Sequence, residues 1–284
     1  MAWFGVATEG PAGDRVAARR RAMLTNNDGL QRIAFSMNSS TTPTGSGQEG
    51  IREQYRLASQ SETSAEQLDA LAGASSAFVR TAVAKHPNTS MITIERLVND
   101  EDVDVVAIAL AHPNCRSDLV RSSISHASSR VRAGAASSIH ATSDVLGVLL
   151  DDPDEDVVRH ALANPNLDMT VASNRLSRFT HGMRKALASN PQLSEELQWT
   201  LARDNDWRIR SALAGIDAIT KDVASYLSQD SHAIVRQRIG GNPSAPEEVR
   251  RVLMHDPEDA VSYTAREHSQ SVLVRILAEY QHRA

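Results

Sequence analysis

The sequence predicts an all-α fold, an α-solenoid of about eight two-helix units of 26 residues, and three periodicities point to it. Prolines stand at Pro87, Pro113, Pro165, Pro191 and Pro243, every gap being 26 residues or twice that, with Ile139 and Asp217 in the intervening slots. Leu71, Leu97, Leu149, Leu201, Leu227 and Leu253 keep the same phase, with Ile124 and Leu176 one residue late. An apolar-Arg step followed by small and apolar residues recurs as Val79-Arg80, Val131-Arg132, Val158-Arg159, Met183-Arg184, Ile209-Arg210 and Val235-Arg236. A unit this small cannot hide its own apolar face, so self-similarity at a fixed period implies that neighbours cover one another.

Taken in order, residues 1–50 read as a flexible tail and linker. A short helix over Asp14 to Leu24 would carry Arg15, Arg19, Arg20 and Arg21, and the Ser/Thr/Gly-rich run 37–50 would separate it from the rest. Residues 51–73 read as an N-terminal helical cap: Ile51, Tyr55 and Ala58 share a helical face, and Thr63 with Glu66 has capping-box spacing ahead of Leu68 and Leu71. Residues 74–284 form the repeat domain. In each unit the first helix should end at the Asn-Pro or His-Pro step, because the residue before proline is pushed out of the α region. Second helices should begin at Asp168, Ser194, Thr220 and Pro246, followed by acids such as Glu195, Glu196, Glu247 and Glu248 that suit a helix N-terminus. The last unit has Val261-Ser262 in place of apolar-Arg, and its closing stripe of Leu273, Ile276, Leu277 and Tyr280 should cover the end of the core or form a weak homodimer contact. Otherwise a monomer is expected.

Composition narrows the function. Apolar residues make up 41% of the chain but aromatics only 4%, which suits thin helices that approach closely. The single Cys115 excludes an intrachain disulfide and a thiolate-rich metal site, and a reducing, cytoplasmic setting is the expectation. No apolar run reaches transmembrane length, so no membrane partner is expected. Cations are nearly all arginine, yet the net charge of −5 opposes the basic footprint of a nucleic-acid binder.

The strongest chemical feature is the arginine column Arg80, Arg132, Arg159, Arg184, Arg210 and Arg236, interrupted at Ala107 and Ser262. Asp204 and Asp230 stand six residues before Arg210 and Arg236, a spacing that suggests an acid–arginine ladder between units. The alternative is a row of guanidinium groups holding an acidic peptide or a phosphate backbone. Trp199 and Trp207, beside Arg203, Arg208 and Arg210, occupy positions that other units fill with small or polar residues, and Trp with Arg is the composition of an interface hot spot. Asp100, Asp102 and Asp104, like Asp152, Asp154 and Asp156, have the spacing of a calcium loop. Val157 stands where that loop needs glycine, so helix capping is the better account. His86 and His112 share the pre-proline slot with Asn164, Asn190 and Asn242, where a side chain can bond backbone groups at the helix end. No nucleophile elbow, phosphate loop or zinc-protease motif is present, and no cofactor, metal or catalytic residue is assigned.

A unit of acid, apolar-Arg, Ala-apolar-Ala, Asn-Pro and Leu, as in Met183-Arg184, Ala186-Leu187-Ala188, Asn190-Pro191 and Leu201, resembles the leucine-rich repeat variant family and, more distantly, HEAT repeats. The resemblance covers about residues 62–281. It implies paired short helices in a right-handed superhelix. The period is slightly longer than the family's usual unit, which favours two true α-helices here, and the cysteine cluster of the iron–sulfur branch of that family is missing. The functional expectation is a non-catalytic scaffold that binds a protein or peptide partner, with acidic partners in view, through Trp207, Arg208, Arg210, Arg184, Arg236, Arg159 and Trp199. Two alternatives remain: a nucleic-acid-binding protein like the HEAT-like alkylpurine DNA glycosylases, with Asp204 and Trp207 as the only nominees for base excision, or a structural component of a larger assembly.

Overall fold

The computed structural model describes residues 45–269, and the predicted tail helix and C-terminal stripe lie outside them. The described residues divide into two compact units, the boundary falling between Thr63 and Ser64. In the first, α1 (Gly45–Ala58) begins inside the segment read as linker. Its apolar stripe is narrow, with Ala58 buried and Tyr55 exposed. After it, Thr63 donates through Oγ1 to the Leu57 carbonyl at 2.5 Å.

The second unit opens with α2 (Ala65–Leu71). Its capping box is formed by Ser64 and Gln67, one residue on from the expected Thr63 and Glu66, because Ser64 and not Thr63 is the residue that stands at the helix N-cap. Helix pairs follow: α3 (Ala77–Lys85) with α4 (Met91–Leu97), α5 (Val103–Ala111) with α6 (Ser117–Ser122), α7 (Ser129–Ser137) with α8 (Ser143–Leu149), and α9 (Glu155–Ala163) with α10 (Met169–Ser173). Then come α11 (His181–Ala188) with α12 (Glu195–Ala202), α13 (Trp207–Ala214) with α14 (Lys221–Leu227), and α15 (Ala233–Gly240) with α16 (Glu247–Leu253). Residues 259–269 begin a further helix. The described residues thus form an all-helical repeat solenoid. Both members of each pair are α-helical, although α6 and α10 are each followed by a single 3₁₀ turn, Ser123–Ser125 and Leu176–Arg178. Among the described residues no helix is long and apolar enough to cross a membrane.

Each helix is marginal alone and is held by its neighbours. The second helices bury the leucine column, with Leu97, Leu149, Leu201, Leu227 and Leu253 all at most 1% exposed. The first helices pack on one another in sequence order, and small residues let them approach. A Cβ on Gly134 of α7 would lie 2.4 Å from the Ala107 carbonyl oxygen of α5, so the two backbones touch there. Asp102, Asp154 and Asp206 cap α5, α9 and α13 by accepting backbone N–H bonds, and Asp168 and Ser194 cap α10 and α12 in the same way.

Candidate functional site

Five of the six column arginines are structural. Arg80, Arg132, Arg184, Arg210 and Arg236 donate through Nε to Asp100, Asp152, Asp204, Asp230 and Asp256 at 2.6–2.7 Å. Each partner stands 20 residues later, at the head of the next unit, and not six residues earlier as the sequence spacing suggests. The earlier aspartate has another part: Asp204 and Asp230 offer their backbone carbonyls to Nη1 of Arg210 and Arg236, both at 2.8 Å. Arg80, Arg132, Arg210 and Arg236 add a second, Nη2 bond, giving the bidentate fork that suits guanidinium and carboxylate. The Oδ1 atom of each aspartate also accepts a backbone N–H two residues on, from Asp102, Asp154, Asp206, His232 and Glu258.

Burial pushes the Asp230 carboxyl up, but Arg210 and the His232 N–H outweigh it and hold the group below its ordinary range. Asp204 therefore links two rungs, its carboxylate to Arg184 and its carbonyl to Arg210.

Arg159 is a correction: it is not a rung. The position in register with Arg132 and Arg184 is Val158, fully buried, and Arg159 lies one residue further round the helix, paired with Asp156 on the surface. Val106 likewise takes the arginine position in α5. Where arginine is replaced, so is its carboxylate partner: His126 and Arg178 stand where the other units have aspartate. Acid and base are kept or lost together, as the cost of an unpaired buried charge requires. His126 retains the turn by accepting the Ser128 N–H through Nδ1 at 3.0 Å.

A second ladder runs through the pre-proline slot. Asn164, Asn190 and Asn242 each donate Nδ2 to two carbonyls of the preceding unit and accept the N–H of the residue two positions on. His112 does the same work with Nε2 on the His86 carbonyl at 3.1 Å and Nδ1 accepting from Asn114 at 3.0 Å. Ile216 cannot, and its loop is served from elsewhere. Buried Gln198 donates to the Ala218 carbonyl and accepts the Thr220 N–H.

Outside those ladders, two tryptophans are held against ring and guanidinium partners. Trp207, the first residue of α13, is half-buried and stacks on His232 with ring centroids 4.1 Å apart and planes 12° apart. Arg208 lies over the Trp207 ring at 4.8 Å. Trp199 of α12 meets Tyr226 of α14 edge-on at 5.5 Å and carries Arg203 at 4.8 Å. His181 holds the Asp206 cap at 2.8 Å. Arg203, Arg208 and Tyr226 are exposed. Of the residues expected to meet a partner, the structure holds Trp199 in one aromatic group and Trp207 with Arg208 in another, while Arg184, Arg210 and Arg236 spend their guanidinium groups on the rungs. The stacking role of His232 was missed; its register with Asp206, one unit later, was the available signal.

No family model matches the chain, and no curated protein matches it. Solved structures do. One is described as a leucine-rich repeat variant with a novel repetitive protein structural motif, 16% identical, with a TM-score of 0.41 over 77% of this chain and 83% of that one. A designed armadillo repeat protein is 14% identical with a TM-score of 0.21, covering 81% of this chain and 94% of the other. A second designed armadillo repeat protein, in complex with the peptide (KR)4, is 14% identical with a TM-score of 0.21, covering 89% and 97%. These are similarities to helical repeat proteins, and no residue role passes from them to this chain.

Proposed function

We propose that the chain is a non-catalytic repeat scaffold that binds a protein or peptide partner through the surface around Trp207 and Trp199. The observation that carries the reading is the pair of tryptophans outside the core, one on each of two consecutive helices and each covered by one arginine. Aromatic and arginine side chains held by their surroundings contribute contact area at little cost in ordering, which is the character of a binding hot spot. The rung arginines hold the helices that present this surface and do not reach across it. Asp204, the acid that a base-excision reading would need, has its two carboxylate oxygens bonded to Arg184 and to the Asp206 N–H.

Affinity capture with the full chain, compared with a Trp199→Ala/Trp207→Ala double variant, tests the proposal. Loss of a defined partner on substitution is expected, and an unchanged partner list would remove the site. A gel shift at low and moderate salt provides the counter-test. Tight, steeply salt-dependent DNA binding would replace the scaffold reading.

A further inference from the structure

The charges on the exposed side of the first helices are unevenly compensated. Towards the N-terminal end the arginines have acids, Arg130 donating to Asp104 at 2.6 Å and Arg159 pairing with Asp156, and Lys85 lies in the field of the same Asp104. Over α11, α13 and α15 the balance changes. Lys185 and Arg238 are exposed and, among the described residues, no carboxylate lies within hydrogen-bonding or ion-pairing reach of either. Arg208 has only Asp206, at 3.7 Å, and that carboxylate is already engaged by His181. Arg238 is laid across the end of α13, where a Cβ on Gly215 would come within 2.6 Å of its Nε. Ile234, one unit on from Arg208 and in register with it, is 44% exposed. Three consecutive helices thus present one cation each, Lys185 and Arg238 without a carboxylate and Arg208 with a shared one, and Trp207 and Ile234 lie on the same helices as apolar ground. Asp156 is in register with Arg208 and is paired with Arg159; Glu155 and Asp259 share the register of Trp207, and Glu155 and Glu267 are bonded to the Thr180 and Tyr263 hydroxyls.

We propose that this face binds an extended acidic peptide segment with carboxylates three residues apart, met in turn by Lys185, Arg208 and Arg238 and anchored by an apolar side chain against Trp207. The proposal rests on the scaffold reading above and specifies its partner. The spacing follows from two lengths. Packed helices lie about 8–10 Å apart, and an extended polyproline-II segment returns to the same side every third residue after about 9.3 Å. Isolated carboxylates at that interval can meet one cation per helix and avoid the bordering acids. A nucleic-acid backbone, charged at every nucleotide, would run over Asp206 and Glu267, so a peptide is favoured.

The test is fluorescence anisotropy with the full chain and labelled nine-residue peptides. One peptide repeats Glu-Pro-Phe three times, a second has Gln for Glu, a third carries the same number of Glu at two-residue spacing, and a thymidine oligonucleotide serves as the competing polymer. The first peptide should bind at least about tenfold more tightly than the other peptides, and Trp207→Ala should weaken it about tenfold. Arg208→Glu and Arg238→Glu, both at exposed positions and checked for an unchanged urea midpoint, should each weaken it by a similar factor.

Equal binding of the Gln peptide, still lost in Trp207→Ala, would overturn the acidic-partner proposal and leave the scaffold reading standing. Equal binding of the third peptide would overturn the spacing. Absence of any Trp207-dependent peptide binding would overturn both proposal and reading. Tighter binding of the oligonucleotide, with the same residue dependence, would overturn the choice of a peptide.

Discussion

If the rung arginines are structural and acid and base must be kept or lost together, then one rung can be rewritten as the chain itself writes it elsewhere. Arg210 and Asp230 are 14% and 5% exposed at the side chain and joined by bonds of 2.6 and 2.9 Å. Arg210→Val alone leaves the Asp230 carboxylate with a single N–H, from His232, and Arg210 no longer reaches the Asp204 carbonyl. Removing one partner of a buried pair costs about 3–5 kcal/mol, and because water reaches this rung's edge the expected loss is about 3 kcal/mol. Asp230→His alone should cost about 2–3 kcal/mol by leaving the guanidinium uncompensated.

The double variant reproduces the native Val106–His126 pairing, the Val158–Arg178 junction likewise does without a rung, and His126 shows that histidine keeps the turn bond. It should therefore lose much less than the sum of the single variants, with a coupling of about 2–3 kcal/mol in its favour. Urea denaturation followed by circular dichroism measures the three losses, and amide exchange over residues 205–232 checks that they arise at this junction. Additive losses would refute the reasoning, because the rung would then be two independent contacts.

Three further outcomes follow from the same geometry. Gly134→Ala should destabilise by about 1–3 kcal/mol by thermal or urea unfolding, although alanine is ordinarily the better helix former, since its Cβ has no room beside the Ala107 carbonyl. Asn190→Ala should cost about 2–4 kcal/mol, because it orphans the Leu162 and Asn164 carbonyls and the Gln192 N–H, and Asn190→Asp should not rescue it, having no donor. Burial of His112 lowers its proton affinity against a smaller opposing effect of the His86 carbonyl. Its Nδ1 must also stay unprotonated to accept the Asn114 N–H. The folded-state pKa lies below the unfolded one, so this contribution is present above the ordinary histidine value of about 6.5 and is lost as pH falls. His112→Asn, the residue used at the same slot in three other units, should therefore gain stability relative to wild type between pH 7.5 and 5.5, measured as the difference in urea midpoint.

The repeat was legible because packing imposes it at every unit: a leucine missing from the column, or a proline moved within a helix, would break a contact on both sides. The caps at Asp102, Asp154 and Asp206 could be read for the same reason, being local in the chain. What the sequence did not disclose is contact across the stack. Asp204 and Asp230 were correctly singled out for the arginines, but which aspartate meets which arginine depends on how one unit sits on the next, and the nearer acid in sequence turned out to offer its carbonyl. Counting strictly in steps of the period from Arg132 would have landed on Val158 and exposed Arg159 as an intruder. Gln198 was equally visible as a polar residue in the column of Leu146 and Ala172, yet only the neighbouring loop at Ala218 and Thr220 explains it. The functional cluster was half legible: the tryptophans stood out as departures from the repeat, whereas His232 and Tyr226 become part of it only when consecutive units are laid side by side.

The measurement that bears most directly on the division between a load-carrying ladder and a binding surface is peptide affinity and urea midpoint taken together for Trp207→Ala and for Arg210→Val. Trp207→Ala should lose about tenfold or more in affinity for the acidic peptide with a modest change in midpoint, and Arg210→Val should lose stability while its folded fraction binds as wild type does. The reverse pattern, with Trp207→Ala unfolding like a core variant and Arg210→Val abolishing binding at full stability, would contradict the account.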